Sequence, residues 1–313
     1  MTKLVVMIPA YNEEKTIGKV IKEIPRKIKG VKVKVLVIND GSTDKTVKVA
    51  KKAGADKIVT NKMNLGLAKS FRKGLETALK MKADIIVNID ADGQYNAKEI
   101  PKLIRPIMEE KADMVLGWRD VVKLDHMPLR KKIGNRIATL VTGMITDIPV
   151  IDAQTGFRAF SRECAMKMNL KGHYTYVQET IFQAKYKDLK IEQVPVEFRK
   201  RDGDSRLISN IFRYATRAGG TIIRTYRDYE PFKVFLAVGG VIGLVGFGFG
   251  LRVLVHFLRT GLVTPYVPSA ILASMLMMIG FQIVIFGLLA EMIKDNRETL
   301  DELLFRVKEG NYD

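Results

Sequence analysis

The chain has 313 residues, 47% of them hydrophobic, with a formal charge of +18, which supplies a core for one large domain or two and excludes a disordered protein. Its single cysteine, Cys164, cannot close an intrachain disulfide and rules out zinc sites built on several cysteines. The positive charge by itself does not choose between nucleic acid, anionic lipid and phosphorylated substrates.

The first stretch, MTKLVVMIPAYNEE, carries a short apolar run and then acids, so it reads as a strand and lacks the apolar region of a signal peptide. From there to about residue 120, β-branched runs alternate with segments of helical period. KLVVMIP is followed by a helix with Ile17, Val20, Ile21 and Ile24 on one face, then VKVLVIND and DKTVKVAKKAG. DKIVTN, a helix from Leu67 to Met81, ADIIVNID, a helix from Ala97 to about Met108 and ADMVLGW continue the series. Strands without inside-outside alternation, separated by amphipathic helices, predict an α/β fold. Its sheet should be mostly parallel and covered on both faces, with ligands gathering at the carboxyl ends of the strands.

Those ends carry polar residues. The first strand closes in IPAYNEE, where Pro9 is expected to turn the chain over the sheet edge and Asn12 and Glu13 can meet a base or ribose. The second closes in NDGSTD, where Asp40 can take ribose hydroxyls, and the glycine and small hydroxyls let a ligand approach closely. NKMNLGLAKS follows the third, with Gly66 opening a helix whose N-terminus favours an anion. In NIDADGQY, two acids lie two positions apart; on an extended strand they share a side, with Cα atoms roughly 6.6 Å apart. Asp90 and Asp92 can then converge on one ion, and Gln94 adds an oxygen if the extension persists. Hard oxygen ligands suit Mg2+ or Mn2+. Ordinary turn and capping chemistry explains each segment singly, but together they line one crevice.

PLRKKIGNRIATLVTGMITDI, 128 to 148, has Leu129, Ile133, Ile137, Val141, Met144 and Ile148 on one side and Lys131, Lys132, Asn135 and Thr142 on the other, with Arg130 on the apolar side. SRLISNIFRYATRAGGTIIRTYRDY, 205 to 229, likewise divides into an apolar arc and an arginine arc. Both patterns predict helices lying in the head-group plane of a lipid bilayer. Val234 to Leu258 and Val267 to Ile293 are each long and apolar enough to cross a hydrocarbon core of roughly 30 Å. They predict a hairpin, and Gly239, Gly243, Gly246 and Gly250 would let its helix backbones approach closely. Arginines and lysines flank both outer ends of the hairpin, whereas its loop offers only Arg259, so the N-terminal domain is expected on the cytoplasmic side of a multi-pass protein. The expected divisions are a catalytic domain over 1–230, two spans over 231–293 and a cytoplasmic amphipathic tail over 294–313. His126, His173 and His256 are scattered and show no metal-binding spacing.

In this order and spacing, IPAYNEE, NDGSTD, NLGLA and DADGQY resemble the family 2 glycosyltransferases of GT-A fold over roughly residues 3 to 230. DAQTGFR at 152 to 158 resembles a further stretch of the family and RDGDSR at 201 to 206 a loop of its polyprenyl-phosphate branch, and with the hairpin the whole is similar to dolichyl-phosphate mannose synthases. The resemblance implies nucleotide-sugar contacts from Pro9, Tyr11, Asn12, Glu13, Asp40, Ser42, Gly66, Asp90, Ala91, Asp92 and Glu179. Metal contacts are implied for Asp90, Asp92 and Gln94, with Asp92 foremost. Family members often carry histidine or proline where this chain has Gln94.

A lipid monophosphate is already an anionic nucleophile and needs cations more than a base. Arg119, Arg130, Lys131, Arg201, Ser205 and Arg206 are expected to hold it, with Asp92, Arg119, Arg130 and Arg201 as the catalytic set. The implied activity is inverting transfer of mannose from GDP-mannose to dolichyl or polyprenyl phosphate, dependent on Mg2+ or Mn2+. A UDP-sugar donor is the rival within enzymes, and a membrane-tethered nucleic-acid- or lipid-binding protein is the rival outside them. Nucleic acid is not the expected partner, because the cations follow helices whose other face is apolar and do not interleave with aromatics on a groove.

Overall fold

The computed structural model describes residues 1–124, 127–170, 176–200 and 230–312. Strands β1 (Thr2–Ala10), β2 (Lys27–Ile28), β3 (Val31–Asn39), β4 (Lys57–Thr60), β5 (Ile85–Asn88), β6 (Met114–Trp118), β7 (Arg158–Ser161) and β8 (Ile191–Pro195) form one eight-stranded sheet. Its order is β2-β3-β1-β5-β7-β6-β8, with β4 on the outer edge of β3. β2 runs antiparallel to β3, and β7 runs antiparallel between β5 and β6. The other pairings are parallel, which brings the carboxyl ends of β1, β3, β4, β5 and β6 to one edge.

The strands are buried on both faces because helices cover both; Leu4 through Ile8 have no exposed surface at all. On one face pack α1 (Ile17–Glu23), α2 (Thr46–Lys52) and α4 (Ile100–Met108), through Ile17, Val20, Ile21, Ala50, Ile100 and Leu103. On the other pack α3 (Leu67–Lys80), α6 (Arg162–Lys167) and α7 (Val177–Tyr186), through Phe71, Leu75, Ala78, Cys164 and Ile181.

The helix α5 (Leu129–Thr146) is built the other way round. Asn135, Ala138, Thr139, Thr142 and Thr146 are its buried residues, whereas Leu129, Ile133, Ile137, Leu140 and Met144 are 50–73% exposed. A polar inner face and an apolar outer one is the pattern expected of a helix whose far side meets lipid.

The chain divides into two compact units, Met1–Gly219 with Leu303–Asp313, and Gly220–Glu302. Within the second, α8 (Pro231–Thr260) and the first part of α9 (Val267–Tyr312) are long and apolar enough to cross a membrane. Their backbones meet at small residues: a Cβ on Gly239 would fall 2.6 Å from the Gly280 carbonyl oxygen, and one on Gly246 would fall 2.8 Å from Leu276 Cβ. Near the hairpin loop the Arg252 guanidinium lies 4.6 Å over the Tyr266 ring. The last turns of α9 belong to the first unit. Lys308 Nζ donates to the carbonyls of Met166 and Met168 at 3.0 and 3.1 Å, and Arg162 Nη2 donates to the Tyr312 carbonyl at 2.8 Å.

Candidate active site

At the β1 and β3 ends the loops clasp each other. Asn12 takes a left-handed conformation (φ 53°), donates its N–H to Ser42 Oγ at 3.0 Å and accepts from the Thr43 N–H at 2.8 Å. Glu13 N–H donates to Thr46 Oγ1 at 2.8 Å. Tyr11 beside them is exposed. Pro9 does not make the turn expected of it: it pairs in register with Ile38 inside β1, and the chain leaves the sheet after Ala10.

Asp40 and Gly66, expected to meet the ligand separately, meet each other. The buried Asp40 carboxylate accepts from Asn61 Nδ2 at 2.8 Å and from the Leu65 and Gly66 N–H groups, both at 2.9 Å. Lys73 Nζ completes the network on Asn61 Oδ1 at 2.6 Å. The Asp40 carboxylate thus fixes the loop in front of α3.

The acid pair is arranged differently from the extended strand that its spacing predicts. β5 stops at Asn88, Ala91 and Asp92 lie in a turn, and Asp92 Oδ1 accepts from the Gln94 N–H at 3.1 Å with Gly93 at φ 76°. An aspartate that bonds the backbone two residues on competes with the strand ladder and here wins. Asp90, Asp92 and Gln94 are half-buried and Ala91 is buried. Gln94 Nε2 donates to the Arg199 carbonyl at 3.3 Å.

Gly156 closes on Asp90 from the segment before β7. A Cβ there would lie 2.7 Å from Asp90 Oδ2 and 3.0 Å from Oδ1, so any larger residue would have to push this carboxylate aside. Tyr95, Thr155 and Asn88 hold it in place. The Gly156 N–H donates to Tyr95 Oη at 3.0 Å, Tyr95 Oη shares a 3.2 Å bond with Thr155 Oγ1, and Asn88 Nδ2 donates to the Gly156 carbonyl at 2.7 Å. Asn88 also donates to Tyr176 Oη at 2.8 Å, and the Tyr176 ring stacks on Phe71 with centroids 3.7 Å apart. Burial, reinforced by the nearby Asp90, pushes the Tyr95 hydroxyl up to about 12 and that of Tyr176 well above its ordinary value. Neither is a base at neutral pH.

Among the described residues no group of three His, Cys, Asp or Glu gathers as a protein-only metal cage. Two half-buried carboxylates and an amide oxygen, with a glycine backbone in place of a side chain beside Asp90, instead fit a hard cation that keeps waters and shares its coordination with a substrate phosphate.

The largest ionic feature of this end of the sheet is one that sequence reasoning missed. Asp152 is fully buried and grips Arg119 with both oxygens, Nε to Oδ2 at 2.6 Å and Nη2 to Oδ1 at 3.0 Å. It also accepts from Asn135 Nδ2 at 2.9 Å and the Gln154 N–H at 3.1 Å. Burial opposes its charge, but Arg119 and these hydrogen bonds hold the carboxyl below the usual range. Arg119, expected as an open cation for phosphate, is thus bound on its bidentate edge, and its guanidinium lies 4.9 Å over the Phe198 ring. Arg158, fully buried, is held by carbonyls and a hydroxyl: Nε donates to the Thr155 carbonyl at 2.8 Å, Nη2 to that of Ala153 at 3.0 Å and Nη1 to Thr180 Oγ1 at 2.5 Å. Burial pulls it down to about 10, which leaves it charged at neutral pH. DAQTGFR was visible as a motif, but not the burial of both its charged residues, Asp152 against Arg119 and Arg158 against carbonyls and a hydroxyl.

Of the remaining expected residues, Arg130 is exposed and Lys131 half-buried on the first turn of α5. Glu179 is half-buried in the first turn of α7 and accepts from Gln183 Nε2 at 3.4 Å. Arg201, Ser205, Arg206 and the helix expected over 205–229 lie outside the described residues.

Residues 5–168 match the model of the family described as glycosyl transferase family 2, and residues 207–294 match that of the glycosyltransferase family 2 C-terminal transmembrane region. The chain is 31% identical to the UDP-N-acetylglucosamine–dolichyl-phosphate N-acetylglucosaminyltransferase of Methanococcus voltae, over 61% of this chain and 83% of the relative. It is 29% identical to the dolichol-phosphate mannosyltransferase of Pyrococcus furiosus, over 68% of this chain and 61% of the relative. In fold it is similar to glucosyl-3-phosphoglycerate synthase of Mycobacterium tuberculosis, with a TM-score of 0.56 at 21% identity over 72% of this chain and 79% of that one.

Proposed function

The chain belongs to glycosyl transferase family 2, and from that premise we propose that it moves a hexose from a nucleotide diphosphate sugar to a polyprenyl phosphate held in a membrane. The observation that carries this reading is α5. One helix turns Leu129, Ile133, Ile137, Leu140 and Met144 outward and, on its other side, bonds the segment that closes on Asp90. An acidic sugar-nucleotide site and a lipid-facing surface therefore share a wall. The basic flanks of the hairpin support a cytoplasmic location for the catalytic unit.

The donor we propose is GDP-mannose and the acceptor dolichyl phosphate. The name of the Methanococcus voltae relative favours a second reading, a UDP-hexose donor on the same acceptor. In either case the clasped loops at Tyr11, Asn12, Glu13 and Ser42 receive the nucleoside, with Asp40 fixing the loop in front of α3. Asp92 and Asp90, with Gln94, would hold Mg2+ or Mn2+, which when bound neutralises charge on the departing diphosphate. Arg130 and Lys131, at the start of the lipid-facing helix, steer the acceptor phosphate, a role also assigned to Arg201, Ser205 and Arg206. An oxygen of the lipid phosphate attacks the anomeric carbon in line, the bond from that carbon to the diphosphate oxygen breaks, and the nucleoside diphosphate leaves with inversion. The attacking group is already ionised, since the second pKa of a phosphate monoester lies near about 6. We assign Glu179 to the sugar side of the site.

The test is transfer of labelled sugar from GDP-mannose, UDP-glucose and UDP-N-acetylglucosamine to a short polyprenyl phosphate by the full chain in nanodiscs, with and without chelator. Transfer from one donor, abolished by chelator and reduced about 100-fold or more by Asp92→Ala, is expected. Absence of transfer from all three, by folded protein, overturns the reading.

A further inference from the structure

We infer that Asn135 and Thr139 are positioning residues through which the lipid-facing helix α5 sets the loop that closes on Asp90, an inference that rests on the membrane reading of α5 given above. The two side chains lie one turn apart on the inner face of α5, each 9% exposed, and each reaches outside its own helix. Asn135 Nδ2 donates to Asp152 Oδ1 at 2.9 Å, and Thr139 Oγ1 accepts from the Ala153 N–H at 3.1 Å. Thr142 and Thr146, further along the same face, donate instead to carbonyls of α5 itself, those of Ala138 and Thr142, at 2.7 and 2.8 Å. The helix is therefore joined to the site at two adjacent residues, through the Asp152 side chain and the Ala153 backbone.

From those positions two short routes reach the acidic turn. Along the chain, Ala153 leads to Thr155, whose hydroxyl meets Tyr95 Oη, and to Gly156, whose backbone stands against the Asp90 carboxylate. Through side chains, Asp152 holds Arg119, Arg119 lies over Phe198, and the Phe198 ring packs edge-on to Tyr95 with centroids 5.0 Å apart. A movement of α5 along these routes reaches the Gly156 backbone beside the Asp90 carboxylate. Reaction rates are sensitive to misplacements of about 1 Å. The outer stripe of α5 decides where the helix rests, so seating that stripe in lipid sets the wall beside Asp90. The bonds are two, one of them to the buried Asp152 carboxylate, so the joint transmits position without contributing most of the fold's stability.

The test compares four variants of the full chain in nanodiscs: Asn135→Ala, Thr139→Val, Thr139→Ser and, as a control on the same buried face, Thr142→Val. Two readouts are used, hydrogen exchange of the 153–157 amides and steady-state transfer with the donor found above. Asn135→Ala and Thr139→Val are expected to speed exchange at 153–157 and to lower kcat about tenfold with the donor KM within about twofold. Thr139→Ser, which keeps the hydroxyl, and Thr142→Val are expected to match the wild type in both. The double variant Ile137→Asp, Leu140→Asp, which alters only the outer stripe, is expected to speed the same amides. Unchanged exchange at 153–157 in Thr139→Val or in the double variant overturns the inference, and so does a loss confined to KM. A wild type that transfers no sugar overturns the functional reading instead, and the exchange comparison still decides the joint.

Discussion

Two helices of the catalytic unit, α3 and α5, solve opposite problems. α3 buries Phe71, Leu75, Ala78 and Leu79 and turns Arg72, Glu76 and Lys80 outward. Its attachment comes from apolar area removed from water, at about 25 cal/mol per Å2, and it tolerates small shifts because that force has no direction. α5 buries an asparagine and three threonines and exposes Leu129, Ile133, Ile137, Leu140 and Met144. Its attachment is a handful of hydrogen bonds, each worth about 1 kcal/mol net but demanding in distance and angle. A helix held by direction more than by area reports on position, and one with its apolar side outward is at rest only in a second solvent.

The contrast predicts where stability resides. Phe71→Ala removes the stack on Tyr176 and the contact with Phe160, whose ring lies 5.8 Å away, from a fully buried site. It should cost about 3–5 kcal/mol in thermal or denaturant unfolding, far more than any single truncation on the inner face of α5. An equal cost for Asn135→Ala would erase the distinction. The charged part of the α5 attachment can be isolated by pH. Asp152 has a lower pKa folded than unfolded, so its contribution is fully present above the unfolded value, near about 3.9, and is lost as pH falls through the folded one. Melting temperature should therefore show no titration of this pair from about pH 5 to 8 and a decline below about pH 4 that Asp152→Asn removes. A transition near neutrality would mean that Arg119 is not the partner that matters.

The outward face gives a smaller, spectroscopic effect. With the only tryptophan replaced by Trp118→Phe, Ile137→Trp should be quenched by brominated lipid in nanodiscs, and Lys80→Trp on α3 should not. Equal quenching at both positions would remove the case for treating α5 as the lipid-facing helix.

The order of strands and helices was readable because β-branched runs buried on both sides and helices buried on one leave unlike periodicities. The two faces of α5 were readable for the same reason, since Leu129, Ile133, Ile137 and Met144 fall on one arc of any helical wheel. Distance in the chain hid the rest. The carboxylate that Arg119 binds is 33 positions on, and the amides that Asp40 accepts from belong to a loop more than twenty residues later. The acid pair was misread locally. Spacing places Asp90 and Asp92 on one side only if the strand continues, and the Asp92 side chain ends it by taking the Gln94 N–H.

The smallest effect belongs to Thr142→Val, and it separates the two kinds of polar burial on α5. Thr142 is 1% exposed, yet its hydroxyl donates only to the Ala138 carbonyl one turn back, an acceptor that the helical N–H of residue 142 already engages. Valine of the same shape leaves no donor stranded and adds a buried methyl, so unfolding free energy should change by less than about 1 kcal/mol. Thr139 loses more by the identical change, because its hydroxyl oxygen accepts from the Ala153 N–H and valine strands that donor in the interior. The difference between the two threonines, measured by denaturant melts on otherwise identical chains, isolates a bond that leaves the helix from one that stays in it. If the two substitutions cost the same, the inner face of α5 is a uniform polar surface and holds the site at no particular point.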